Sequence, residues 1–113
     1  MHLDEEIKGE VAVVTLSGDL LYEEDGSVIE QKIISLTSDN IRKIVFDFAG
    51  LNTINSEGLA TLLSAAKSVR DKGGDIRIAG LGTHLQNIFA MTKLVRIFDT
   101  YETVGRALAS YSH

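Results

Sequence analysis

Thr53-Ile54-Asn55-Ser56-Glu57-Gly58-Leu59-Ala60-Thr61-Leu62-Leu63 joins two kinds of pattern. Its first residues close an apolar, β-branched segment and its last ones open a helical one, so a strand-to-helix junction falls on Asn55-Ser56. A helix mouth carries unpaired backbone N–H groups and a positive dipole end, and negative charge is favoured there at residues 55 to 58. With Asn55 or Ser56 as N-cap and Glu57 as first-turn acid, these residues contribute about 1 to 2 kcal/mol to the helix. The same spot suits a phosphorylated hydroxyl, because phosphoserine brings a charge of about −1.5 to −2 onto waiting donors.

Upstream of the junction, Asp39-Asn40 signals a turn, and Ile41, Ile44, Val45, Phe46 and Phe48 form the nearly continuous apolar run of a buried parallel strand. Residues 49 to 54 are expected to be a loop. Downstream, Leu59, Leu62, Leu63, Ala66 and Val69 share one face of a helix that Gly73-Gly74 ends. Val11 to Leu16 is expected to be a strand stopped at Ser17-Gly18, with residues 3 to 8 as an edge strand beside it. Val28, Ile29, Ile33 and Leu36 define a first helix with Ser27 as N-cap. Ile76, Ile78 and Ala79 make another strand, stopped at Gly80. Leu85, Ile88, Phe89 and Met91 make a third helix capped by Thr83. A short strand from Val95 to Phe98 and a helix around Val104, Leu108 and Tyr111 complete the order. Such alternation predicts an α/β fold with a mainly parallel sheet and right-handed crossovers.

The chain has 113 residues, 44% of them hydrophobic and 24% charged, which predicts one soluble globular domain over residues 1–113. No apolar run approaches the roughly 20 residues of a membrane span, so no membrane insertion is expected. The N-terminus, acidic where a leader would be basic, and the absence of cysteine predict a cytoplasmic protein without disulfides or thiol chemistry. Residues 1 to 30 hold nine acids and one base, a net of −8 that leaves +3 for the remainder of a chain whose total is −5. The later bases are scattered rather than striped, which argues against nucleic-acid binding.

Little supports catalysis. His2, His84 and His113 lie far apart, without metal-ligand spacing, and no metal or cofactor is expected. Gly80-Leu81-Gly82-Thr83-His84 follows a strand but lacks the lysine of a P-loop and the third glycine of a dinucleotide fingerprint. Ser56 is not in a Gly-x-Ser-x-Gly elbow, and His84 is the one internal histidine that could serve it as a base. In a β-α-β unit the loops after two parallel strands share one sheet edge, so Leu21, Tyr22, Glu23, Glu24 and Asp25 should neighbour Asn55, Ser56, Glu57, Gly58 and Leu59 as an acidic partner-binding rim.

Leu-Ser-Gly-Asp-Leu of 16 to 20, Ile-Arg-Lys-Ile-Val-Phe-Asp-Phe of 41 to 48, Ile-Asn-Ser-Glu-Gly-Leu of 54 to 59, Gly-Gly-Asp-Ile-Arg-Ile-Ala-Gly of 73 to 80 and Leu-x-x-Ile-Phe-x-Met-Thr-x-Leu of 85 to 94 together resemble the STAS domain, the bacterial anti-sigma factor antagonist family whose type member regulates sporulation. The resemblance implies a four- to five-stranded mixed, mainly parallel sheet with helices packed on one side. It implies a regulatory, non-enzymatic interaction module whose partner is an anti-sigma factor and serine kinase of histidine-kinase-like ATPase fold, with a PP2C-type phosphatase in the cycle. It also admits a STAS subunit of a transporter or signalling assembly, and a nucleotide-binding module stands as the alternative from another class. Family members of the switching kind carry Asp-Ser-Ser-Gly or Asp-Ser-Thr/Ala-Gly at the helix mouth. The ungapped match sets their aspartate on Asn55, their first serine on Ser56, their phosphorylated serine on Glu57 and their glycine on Gly58. A fixed charge at 57 implies either a protein outside the kinase-controlled cycle or a phosphoacceptor moved to Ser56.

Overall fold

The computed structural model describes residues 1–112. Five strands form one sheet in sequence order: β1 (His2–Lys8), β2 (Val11–Leu20), β3 (Lys43–Ile54), β4 (Asp75–Ala79) and β5 (Asp99–Tyr101). β1 runs antiparallel to β2, and every later neighbour is parallel. The parallel ladders are bridged by α1 (Glu23–Ser38), α2 (Ser56–Asp71) and α3 (Thr83–Met91), and α4 (Val104–Ser110) follows β5. No helix among the described residues is long and apolar enough to cross a membrane.

β3 is apolar at successive positions because both its faces are covered. Ile44, Phe46 and Phe48 join Ala12, Val14, Leu16, Ile76 and Ile78 under Ile29 and Ile33 of α1, Leu62, Ala66 and Val69 of α2, and Leu85 and Phe89 of α3. Val45 points the other way. With Val11, Val13 and Ala79 it is buried under Ala107 of α4, flanked by Val104, Leu108, Tyr101 and Tyr111. Three helices therefore pack on one face of the sheet, and α4 lies on the opposite one.

Several boundaries differ from those expected. β2 does not stop at Ser17-Gly18 but runs to Leu20, with register shifts between Thr15 and Ser17 and between Gly18 and Asp19. Gly18, at φ 90°, takes the bulged position that a side chain would strain. Residues 49 to 54 are not a loop: Gly50, Leu51, Thr53 and Ile54 pair with Ser17, Gly18, Asp19 and Leu20 and carry β3 to the mouth of α2. α1 begins at Glu23 with Tyr22 as N-cap, so Glu23, Glu24 and Asp25 are its first turn, and the Ser27 hydroxyl donates back to the Glu23 carbonyl instead of capping. Gly82, not Thr83, precedes α3, and Met91 at its end is exposed. Within α2, Leu63 is partly exposed while Ala65 is buried. Residues 94 to 96 form a 3-10 turn, and the last strand comes after them. Buried Leu94 and Phe98 stand four apart, helical spacing, with Val95 and Ile97 exposed between them.

Candidate functional site

β2 and β3 are parallel, so their C-terminal ends open on the same rim of the sheet, and α1 and α2 start there side by side. Asn55 ties the two starts together. Its backbone N–H donates to the Leu20 carbonyl at 3.3 Å, and its carbonyl accepts the Leu59 N–H at 2.9 Å. Its side-chain oxygen accepts from the Gly58 N–H at 3.0 Å, the N-cap bond of α2, while its amide nitrogen donates to the Leu21 carbonyl at 2.9 Å. Gly58 is required by proximity: a Cβ there would stand 2.5 Å from Ile54 Cγ1 and 2.9 Å from both the Leu20 carbonyl oxygen and Leu20 Cγ. Gly26 has the same role one helix over, where a Cβ would meet Thr61 Oγ1 at 2.8 Å and hold α1 away from α2.

Between the two helix starts lies an open groove of about 430 Å³. Tyr22, Glu23 and Glu30 border it from α1 and its cap, and Glu57, Ala60 and Thr61 from α2. Among the described residues the Glu23, Glu30 and Glu57 carboxylates have no ion-pair partner. The positive ends of two helix dipoles converge here and favour this acidity. Ser56 and Glu57 are exposed, Gly58 is buried beneath them, and Leu59 is half-buried against the core.

The rim expected from sequence is thus partly assembled. Tyr22 and Glu23 share the groove with Glu57, and Leu21 joins through its carbonyl. Glu24 is exposed in the first turn of α1. Asp25 is outside the groove: it is half-buried, with a carboxylate oxygen 3.7 Å from the Met1 amino nitrogen. Gly26, Ser27, Glu30, Ala60 and Thr61 were not among the expected residues. With α1 starting at 23, Glu30 falls two turns below Glu23 on the same face, and Ala60 and Thr61 fall one turn below Glu57, so helical spacing was the signal for them.

His84 bonds to Thr53 Oγ1 at 3.0 Å, which joins the first turn of α3 to the end of β3 and pairs the imidazole with a hydroxyl other than Ser56. Among the described residues no group of three histidine, cysteine or carboxylate side chains could hold a metal ion, and His113 lies outside them. The site offers an acidic, solvent-open surface over a rigid backbone junction, chemistry suited to binding a basic surface.

A model of the STAS domain matches residues 2–107. An anti-sigma F factor antagonist of Paenibacillus polymyxa is 26% identical over 98 residues, covering 87% of this chain and 84% of that protein. The crystal structure of an anti-sigma factor antagonist from Mycobacterium paratuberculosis is similar with a TM-score of 0.86 at 22% identity, over 99% of this chain and 94% of that one. The Bacillus cell fate determinant SpoIIAA in its phosphorylated form is similar with a TM-score of 0.75 at 18% identity, over 97% and 99% of the two chains. The structural likenesses concern the fold; the family match spans almost every element described above, and the chain belongs to the STAS domain family.

Proposed function

We infer that this protein is a regulatory, non-catalytic interaction module of the anti-sigma factor antagonist kind, which docks an anti-sigma factor on the mouth of α2 and the adjoining start of α1. The observation that carries this is the pair of hydrogen bonds made by the Asn55 side chain, from the Gly58 N–H and to the Leu21 carbonyl, which hold the start of α1 beside the mouth of α2 so that Tyr22 and Glu23 share a groove with Glu57. Leu21, Glu24, Ser56, Gly58 and Leu59 complete the docking region we propose. The similarity to the anti-sigma F factor antagonist of Paenibacillus polymyxa supports it. Asp25 belongs to the same turn of α1 but turns toward the Met1 amino nitrogen, and it joins the docking region only through its neighbours in that turn. The partner we propose is a serine kinase of histidine-kinase-like ATPase fold, with a PP2C-type phosphatase opposing it.

Glu57 supplies a charge of about −1 where a phosphoserine would supply about −1.5 to −2 with more acceptor oxygens, so it mimics a modified serine only in part. Ser56 is the exposed hydroxyl next to it at the first position of α2 and is the phosphoacceptor we propose. The test is capture from cell lysate on immobilised wild type, Glu57→Ser and Ser56→Ala, read by mass spectrometry for bound proteins and for phosphate. Retention of an anti-sigma ATPase by wild type is the expected result. Capture by Glu57→Ser alone means that the wild-type charge acts as a permanent released state. Capture by none of them removes the antagonist reading, and phosphate that persists in Ser56→Ala removes Ser56 as acceptor.

A further inference from the structure

The charge of this chain is polarised across its sheet. The acid-rich first 30 residues include β1, β2 and the start of α1, whereas between Thr61 and Phe98 six bases (Lys67, Arg70, Lys72, Arg77, Lys93, Arg96) face only Asp71 and Asp75. Strand order puts the β1–β2 edge at one end of the molecule and β5 at the other. At the acidic end Tyr22 is 67% exposed beside Glu23 and Glu24, which have no ion pair among the described residues.

The other end carries apolar surface that the docking site does not use. Met91 is 83% exposed, Val95 50% and Ile97 41%. Within one short segment these three side chains leave apolar surface open to solvent, available to a partner of matching charge. Lys93 and Arg96 stand among these residues, likewise without an ion pair among the described residues, and Arg70 reaches the same segment by donating to the Ile97 carbonyl at 2.7 Å. Lys93 sits at φ 62°, the left-handed region where a glycine would fit without strain. Beside Val95 is a hollow of about 440 Å³ with Leu81, Thr100 and Tyr101 in its walls. Its acidic wall residue, Glu102, lies 3.8 Å from Arg106, and Asp99 stands across the ladder from Arg77.

Each end therefore complements the other twice, acids to bases left unpaired among the described residues and an exposed aromatic ring to the exposed apolar side chains of Met91, Val95 and Ile97. We propose that the Met91–Ile97 surface receives the acidic end of a second copy of this chain, with Tyr22 seated beside Val95 and Glu23 and Glu24 set against Lys93 and Arg96. Contact between opposite ends is heterologous, so copies add head to tail and no two-fold dimer closes. The net charge of −5 opposes approach, but at an ionic strength of about 0.15 M the screening length is about 8 Å, short against the 30 Å length of the molecule. Each contact covers the mouth of α2, so a joined copy has its docking surface masked. The contact itself stands or falls without any partner.

Sedimentation velocity of the purified protein alone, from about 10 µM to about 1 mM in about 0.15 M and about 1 M NaCl, tests this. The expected result is a sedimentation coefficient that rises with concentration beyond that of a dimer, through an association roughly tenfold weaker in high salt. Lys93→Glu/Arg96→Glu and Glu23→Lys/Glu24→Lys should each be monomeric, and mixing the two should restore association. All four positions are at the surface, and circular dichroism of each variant separates lost contact from lost fold. A wild type that is monomeric throughout, a dimer that adds no third copy, or an association indifferent to both reversals overturns the proposal. So does a monomer that sediments with phosphatidylglycerol vesicles, which assigns the patch to an anionic surface instead.

Discussion

The Asn55 amide makes one bond to the backbone of α2 and another to the Leu21 carbonyl, and a carboxylate could make only the first. Asn55→Asp keeps the N-cap but turns an acceptor toward a carbonyl oxygen, so it should cost about 1 to 2 kcal/mol in urea unfolding. Asn55→Ala, which loses both bonds, should cost more. Gly58→Ala gains helix propensity of up to about 1 kcal/mol but drives a methyl into Ile54 and the Leu20 carbonyl, and a net loss of about 1 to 2 kcal/mol is expected. A Gly58→Ala melting curve equal to that of wild type would mean that α2 can move off β2 without penalty.

Among the elements, α4 is held to the sheet by the burial of Ala107 and its neighbours and by polar bonds at its C-terminal end, where Arg77 bonds to Ser110 and the Tyr111 phenol reaches the sheet backbone. The Tyr111 hydroxyl shares its proton between the Asp75 carbonyl at 2.8 Å and the Ile44 carbonyl at 3.0 Å, and the Arg77 guanidinium lies 3.9 Å over its ring. Burial, reinforced by Asp75, pushes its pKa well above the ordinary tyrosine value. A raised folded-state pKa means that the folded protein holds this proton after the unfolded chain has released it. The associated stability is complete below about pH 10 and is lost as pH rises through and beyond it. Urea midpoints between pH 9 and pH 11 should fall for wild type and fall less for Tyr111→Phe. That variant should itself be about 1 kcal/mol less stable at neutral pH.

What could be read in the chain at this scale followed from periodicity. Ile44 to Phe48, α2 and β4 are dense in residues whose pattern and packing agree. The end of β3 was hidden because Ala49, Gly50 and Asn52 have poor strand propensity, and the segment extends only because β2 continues past its bulges to pair with Gly50, Leu51, Thr53 and Ile54. Ser27 resembled a cap, yet helix α1 starts four residues earlier, where three acids meet the positive dipole end. Val95 to Phe98 looked like a strand because three of its four residues are apolar, but only Phe98 among them, with Leu94 before it, reaches the core. The junction at Asn55 and Glu57 was legible from residue type and spacing. Glu30, Ala60 and Thr61 depended on where the helices begin, and the bond to Leu21 depended on a contact that no local pattern encodes.

Over the whole molecule, the scaffold is apolar and the two ends of the sheet differ in charge. The docking surface we propose is the acidic end, with the groove between α1 and α2 at its centre. Because Glu23 and Glu57 are exposed, reversing them should leave the protein folded, at a cost of about 1 to 3 kcal/mol for two first-turn positions facing positive dipole ends. The most direct measurement is therefore calorimetric titration of the anti-sigma factor captured by wild type, purified, into wild type and into Glu23→Lys/Glu57→Lys. The folded variant should bind at least about tenfold more weakly, close to 1.4 kcal/mol, with a salt dependence that shrinks with the lost charges. Equal affinity and equal salt dependence for the two proteins would contradict the proposal, and would move the docking surface away from the mouth of α2.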